Sequence, residues 1–192
     1  MQVPGVAWIC KVIGMNKIEK AALGLLESLN WKCEGDMEKT PARMAKFYQQ
    51  ELIPQAFDFT VFPSQGDQMI VKPNIFFRSR CRHHFEPFYG TVSITYIPDK
   101  SIAGLSKLTR TVRFFSAGLL TQEQMTAKIA DFLVKKLEPK GVMVIAKGKH
   151  LCECKPGVNE DMNSKFVTSA VRGIFQDDSA ARAEAMRLME NG

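Results

Sequence analysis

The sequence predicts an α+β fold: an antiparallel sheet with helices on one face, preceded by a pair of N-terminal helices. Three observations carry that prediction. Apolar residues recur at helical spacing in two stretches before Ile53. Phe88–Ile97 alternates, with Phe88, Val92, Ile94 and Tyr96 set against Tyr89, Thr91, Ser93 and Thr95. From Met69 onward the patterns run strand, strand, helix, helix, strand, strand and a closing helix, with few long connections. A four-stranded sheet covered on one side leaves its other side or its edges to be buried, so an oligomer is expected.

Taken in order, Asn16–Asn30 gathers Ile18, Ala21, Ala22, Leu25, Leu26 and Leu29 on one side of a helix. Trp31–Lys39 is a polar loop. Thr40-Pro41 reads as a helix start, with threonine as N-cap and proline in the first turn. That helix runs to about Leu52, with Met44, Phe47 and Leu52 on one side and the bases Arg43 and Lys46 near its start. Ile53–Gln68, holding Pro54, Pro63 and Gly66, reads as loop. Met69–Ser79 is a strand in which Pro73 demands a bulge or an edge position. Pro98-Asp99-Lys100 makes a turn. Ser106–Ala117 and Gln122–Leu137 are helices broken at Gly118. Val142–Ala146 and Phe166–Phe175 are strands, and Asp177–Glu190 is a terminal helix with Ala and Met on its apolar side. Residues 1–68 form an N-terminal extension and helical region, and residues 69–192 the domain that carries the sheet.

A chain of 192 residues is long enough for one good core. Its charge of +6 fits an anionic partner or, equally, charge kept for solubility alone. No apolar run reaches the length of a membrane span. Met1–Gly14 lacks the charged leader and cleavage site of a signal peptide, and reads as an extension ahead of Met15. The five cysteines follow no regular framework, and Cys152 and Cys154 are too close for an ordinary bridge. A cytoplasmic protein with reactive or metal-bound thiols fits better than a secreted disulfide scaffold. The chain has neither an aromatic RNA-binding motif nor a dense basic run, which argues against a nucleic-acid binder.

All three histidines fall in two short segments, Cys81-Arg82-His83-His84 and His150-Leu151-Cys152, with two of the five cysteines. Imidazole and thiolate are the usual ligands of zinc, and catalytic zinc takes three protein ligands and keeps one position open. Cys81, one of His83 or His84, and Cys152 would supply such a set. The Cys-x-x-His spacing lets both side chains fold around one ion at a turn. Imidazoles left uncoordinated are available for proton transfer. Two blander readings stay open on spacing alone. One is a closed structural clip of Cys81, His84, Cys152 and Cys154. The other is that the histidines are ordinary core or surface residues, against which their concentration argues.

The pattern is similar to the GTP cyclohydrolase I family. It is carried by Cys-x-His-His with Pro87, by Tyr96-Ile97-Pro98, and by Gly104-Leu105-Ser106-Lys107-Leu108-x-Arg110. Gln122-Glu123 with Thr126, His150-x-Cys152, and Asn163-Ser164-Lys165-x-Val167-Thr168-Ser169 follow in order, and Thr40-Pro41-x-Arg43-x-Ala45-Lys46 precedes them. The resemblance implies a T-fold (tunnelling fold) over residues 69–192. It implies a ring-shaped homo-oligomer, a decamer of two pentamers, with sites at subunit interfaces. It implies hydrolytic opening of the imidazole ring of GTP, with release of formate and formation of 7,8-dihydroneopterin triphosphate. Under it Cys81, His84 and Cys152 hold the zinc ion (Zn2+), and His83 and His150 are the catalytic imidazoles. Glu123, with Gln122, anchors guanine. Ser106 is a polar contact in the pocket. Arg43, Lys46, Lys107 and Arg110 hold the phosphates, with Arg43 from a neighbouring subunit.

The chain departs from that family at three places. Arg82 stands where the family has an acidic residue, and Gln124 and Pro156 stand where it has arginines. Arginine grips phosphate bidentately, so the phosphate end of the pocket is expected to differ, with Lys155, Arg113 or Lys165 as compensating charges. Two alternatives follow. One is an enzyme for another guanine nucleotide, such as dGTP, a less phosphorylated one, or a relative on the way to 7-deazaguanines. The other is a zinc-binding T-fold protein without catalysis.

Overall fold

The computed structural model describes residues 14–161 and 163–192, so the extension read over Met1–Gly14 lies, except for Gly14, outside the described residues. The chain divides into two compact units, residues 1–50 and residues 51–192.

In the first unit, α1 spans Lys17–Ser28. Asn16 caps it through a capping box with Glu19, each side chain accepting from the other's end of the first turn. The buried residues of α1 are Ala22 and Leu23, while Leu25 and Leu29 are 53% and 60% exposed. The expected apolar side is thus only partly buried. α2 spans Thr40–Leu52, taking Thr40 into the helix rather than leaving it as the cap, and Arg43 and Lys46 are both exposed on it.

The second unit is built on a five-stranded sheet. β1 is Val61–Pro63, β2 Ile70–Cys81, β3 Pro87–Ile97, β4 Ser101–Ala103, β5 Leu119–Leu120, β6 Gly141–His150 and β7 Phe166–Gly173. Its order is β5-β2-β3-β6-β7, antiparallel except for the short parallel pairing of β5 with β2. β1 and β4 form a separate two-stranded ribbon, so the stretch read as loop over Ile53–Gln68 holds a strand. The Tyr96 hydroxyl accepts from the Ala103 amide at 3.0 Å and ties β4 back to the main sheet. Pro73 does produce a bulge, where the β2–β3 register shifts between Lys72 and Ile75. β6 is twice as long as the five residues expected, because Lys147, Gly148 and Lys149 interrupt the apolar run without ending the pairing.

Among the described residues, three helices of this unit cover the sheet, and they do not share one face. α3 (Leu105–Ser116) and α4 (Gln122–Leu137) pack on the side of Phe77, Phe88, Val92, Ile94, Val142 and Val144, with Leu108, Val112, Met125, Ile129 and Leu133 filling the core. Successive strand residues point to opposite faces. Met143 and Ile145 therefore face the other way, where α5 (Ser179–Asn191) covers them with Ala185 and Met189. The expectation of helices on a single face is corrected here: the terminal helix takes the second face. The physical reason is that β6 is apolar at successive positions from Val142 to Ala146 and so needs cover on both sides.

Candidate active site

The site grows from the turn between β2 and β3. Phe85 adopts φ 59°, and its amide donates to the Cys81 carbonyl at 2.9 Å, closing the turn. This folds His84 back onto Cys81, with Sγ and Nδ1 3.7 Å apart. β3 pairs with β6 so that Phe88 lies opposite His150, and the chain leaving β6 brings in Cys152. One donor atom from each of Cys81, His84 and Cys152 lies within 4.8 Å of the others. Two soft sulfurs and one imidazole nitrogen at that separation fit a single zinc ion. Cys154 does not join this group; its thiol donates to the His150 carbonyl at 3.6 Å. The four-ligand clip is therefore set aside among the described residues.

A second route leads to the same place. After α3, β5 runs beside Arg80 and Cys81, and Thr121 caps α4 by accepting from the Gln124 amide at 3.2 Å. The first turn of α4 then presents Gln122 and Glu123. A carboxylate at this position is favoured by the helix dipole. A cavity of about 310 Å³ is lined by Cys81, His83, His84, Gln122, Glu123, His150 and Cys152. Sequence reading missed the remainder of its wall, notably Glu153, Val158 and Phe166. Nothing in their spacing marks them, because loops and strand ends bring them in.

His150 stacks on Phe88, centroids 4.5 Å apart and planes 8° from parallel, and meets Phe166 edge-on at 5.7 Å. Burial lowers its pKa below the usual value, against the opposing pull of Glu153 and Glu123. Burial also pushes the Cys152 thiol up, and the neighbouring Cys81 adds to that. Two thiols facing one another resist ionising together, and a divalent cation between them would reverse the preference.

Ser106, Lys107 and Arg110 are not among the residues lining this cavity. Ser106 and Lys107 sit in the first turn of α3 and Arg110 at its middle, and the far end of the helix leads to β5 beside Cys81. Twelve helical residues separate the two ends, about 18 Å at 1.5 Å per residue. Arg43 and Lys46 belong to the first unit. Of the departures, Arg82 donates to the Gln124 side-chain oxygen at 3.5 Å, so two of the three altered positions meet. Lys155 forms an ion pair with Glu86.

Residues 12–190 match the family described as GTP cyclohydrolase I. The chain is 41% identical over 181 residues to GTP cyclohydrolase 1 of Aquifex aeolicus, covering 93% of this chain and 98% of that one. It is 46% identical over 155 residues to GTP cyclohydrolase 1 of Wolinella succinogenes, covering 77% and 81% respectively. Among solved structures, the archaeosine synthase QueF-like in the apo form overlaps 57% of this chain and 97% of its own, at 14% identity and a TM-score of 0.45.

Proposed function

The chain belongs to the GTP cyclohydrolase I family, and from that premise we propose that it hydrolyses the imidazole ring of GTP, releasing formate and yielding 7,8-dihydroneopterin triphosphate. The observation that carries this reading is the convergence on one cavity of a Cys81–His84–Cys152 donor group, two further imidazoles and the Glu123 carboxylate. Cys81, His84 and Cys152 would hold zinc, which when bound supplies Lewis acidity and lowers the pKa of a coordinated water. The Glu123 carboxylate accepts from the guanine ring N–H and the exocyclic amine, a two-point contact that fixes the purine. His150, its plane held by Phe88, carries the proton for N7, whose protonation makes C8 electrophilic. His83, exposed at the cavity wall, is the second proton carrier for ring opening and reclosure.

That Ser106, Lys107 and Arg110 do not line the cavity of the candidate metal group supports a pocket shared between subunits. We read Ser106, Lys107 and Arg110, with Arg43 and Lys46, as the triphosphate contacts delivered by neighbouring copies. The outer edge of β7 and most of the outer edge of β2 have no strand partner among the described residues, which suits closure of T-fold sheets into a ring, a decamer of two pentamers. No described helix is long and apolar enough to cross a membrane. With Cys81, Cys152 and Cys154 in no disulfide, we place the protein in the cytoplasm.

Incubating zinc-loaded protein with GTP and identifying the products by mass tests the reading. Formate with a pterin triphosphate is expected; zinc confirmed in place and neither product formed refutes it. The Arg82–Gln124 contact and the Lys155–Glu86 pair favour a second reading in which the phosphate end is altered. Turnover of GTP, dGTP, GDP and GMP compared side by side decides that point, and strong selectivity for GTP rejects it.

A further inference from the structure

We infer that Gln122 is a positioning residue that locks the catalytic imidazole of His150 into one orientation and one tautomer, with the proton of the neutral ring on Nε2. The catalytic part of this inference rests on the proposed activity, whereas the tautomer does not.

Gln122 is 1% exposed, and its polar atoms are committed inside the protein. Its Nε2 lies 3.0 Å from the Ala146 carbonyl, 3.0 Å from the Phe166 carbonyl and 3.1 Å from the Thr168 hydroxyl. Carbonyl oxygens only accept, so the NH2 end of the amide must occupy this place. The amide cannot flip without setting its oxygen against two carbonyls in a buried setting. Its Oε1 is thereby aimed at His150 Nε2, 3.2 Å away. An oxygen that can only accept requires a nitrogen that donates, which leaves Nδ1 as the unprotonated nitrogen of the neutral ring.

The surrounding backbone is shaped for this contact. A Cβ on Gly148 would stand 2.0 Å from Gln122 Oε1, so glycine there makes room for the amide. Thr126 donates to the Gln122 carbonyl at 2.8 Å and meets the Thr168 hydroxyl at 2.7 Å, which holds the start of α4 against β7. Phe88 and Phe166 limit the ring from its face and its edge. With its donors and its acceptor taken, the Gln122 amide has nothing left to offer a purine. Guanine recognition then falls to Glu123, which is exposed at the same cavity.

Nitrogen-15 histidine labelling of the zinc-loaded wild-type protein, read by long-range proton–nitrogen correlation where the imidazoles are neutral, tests the tautomer without any substrate. The chain's three histidines make assignment by single substitution practical. His150 is expected to show a protonated, pyrrole-type Nε2 and an unprotonated Nδ1; the reverse overturns the inference. In Gln122→Met the ring should populate both tautomers, kcat should fall about tenfold or more, and KM for GTP should stay within about twofold. Gly148→Ala, which presses on Oε1 while leaving Gln122 in place, should do the same. A raised KM with kcat kept, or an unchanged single tautomer in a folded Gln122→Met, overturns it. Absence of turnover in the wild type would refute the proposed activity while leaving the spectrum readable.

Discussion

Replacing Phe88 by leucine asks whether the core, and not only the polar contacts, holds the His150 imidazole proposed as catalytic. Phe88 is fully buried and touches two rings: Phe77, with centroids 5.7 Å apart and planes at 69°, and His150, stacked at 4.5 Å. Leucine keeps most of the volume, so the cavity contribution is small, and what is lost is chiefly the two ring pairs. At about 0.5–1.5 kcal/mol each, they predict a loss of about 1–3 kcal/mol. Urea unfolding of the zinc-loaded protein, at fixed protomer concentration so that any assembly contributes equally, reads this as a lowered midpoint at constant slope. Formate release should fall while zinc content holds, since none of Cys81, His84 and Cys152 is changed. A loss below about 0.5 kcal/mol with turnover intact would refute the claim that the stack positions His150.

Cys152→Ser removes one donor of the three-residue group, and metal analysis after dialysis should find most of the zinc gone; full retention would show that the ion is held elsewhere. Glu123→Gln removes the charge from the proposed guanine contact, a loss of about 1.5–3 kcal/mol, so KM for GTP should rise about ten- to a hundredfold with zinc unchanged. A kcat effect alone would place Glu123 in the chemistry instead. Gly90→Ala sets a Cβ 1.9 Å from the Lys147 carbonyl on the paired strand. Overpacking there should cost about 1–3 kcal/mol, read as a lowered Tm, and an unchanged Tm would contradict the β3–β6 approach.

The long, strongly periodic elements were legible in the sequence. The expected helix Gln122–Leu137 is the observed one, because a threonine cap and an uninterrupted apolar stripe bound it. β1, β4 and β5 were not legible, since two- or three-residue strands carry no period and exist only through distant partners. The second helical layer left a trace in the continuous apolar run Val142–Ala146, which signals cover on both faces. At the site, spacing and the concentration of histidines pointed to the group that the fold assembles. The commitment of Gln122 left no trace, because its partners include the backbone carbonyls of Ala146 and Phe166, which any residue supplies. Ser106, Lys107 and Arg110 carried a motif but not a location, and one chain does not bring them to the cavity.

Two metal donors come from a single tight turn, and the third depends on how one strand is aligned along another. Cys81 and His84 can meet as soon as the β2–β3 hairpin closes, a local event. Cys152 arrives only after β6 has zipped onto β3 with Phe88 facing His150. Shifting that alignment by one residue would turn His150 to the opposite side of the sheet and carry Cys152 away from its partners. Metal capture at this group would act as a proofreading step for the sheet: a misaligned chain would forfeit the stabilisation that a bound ion gives only to the correct pairing.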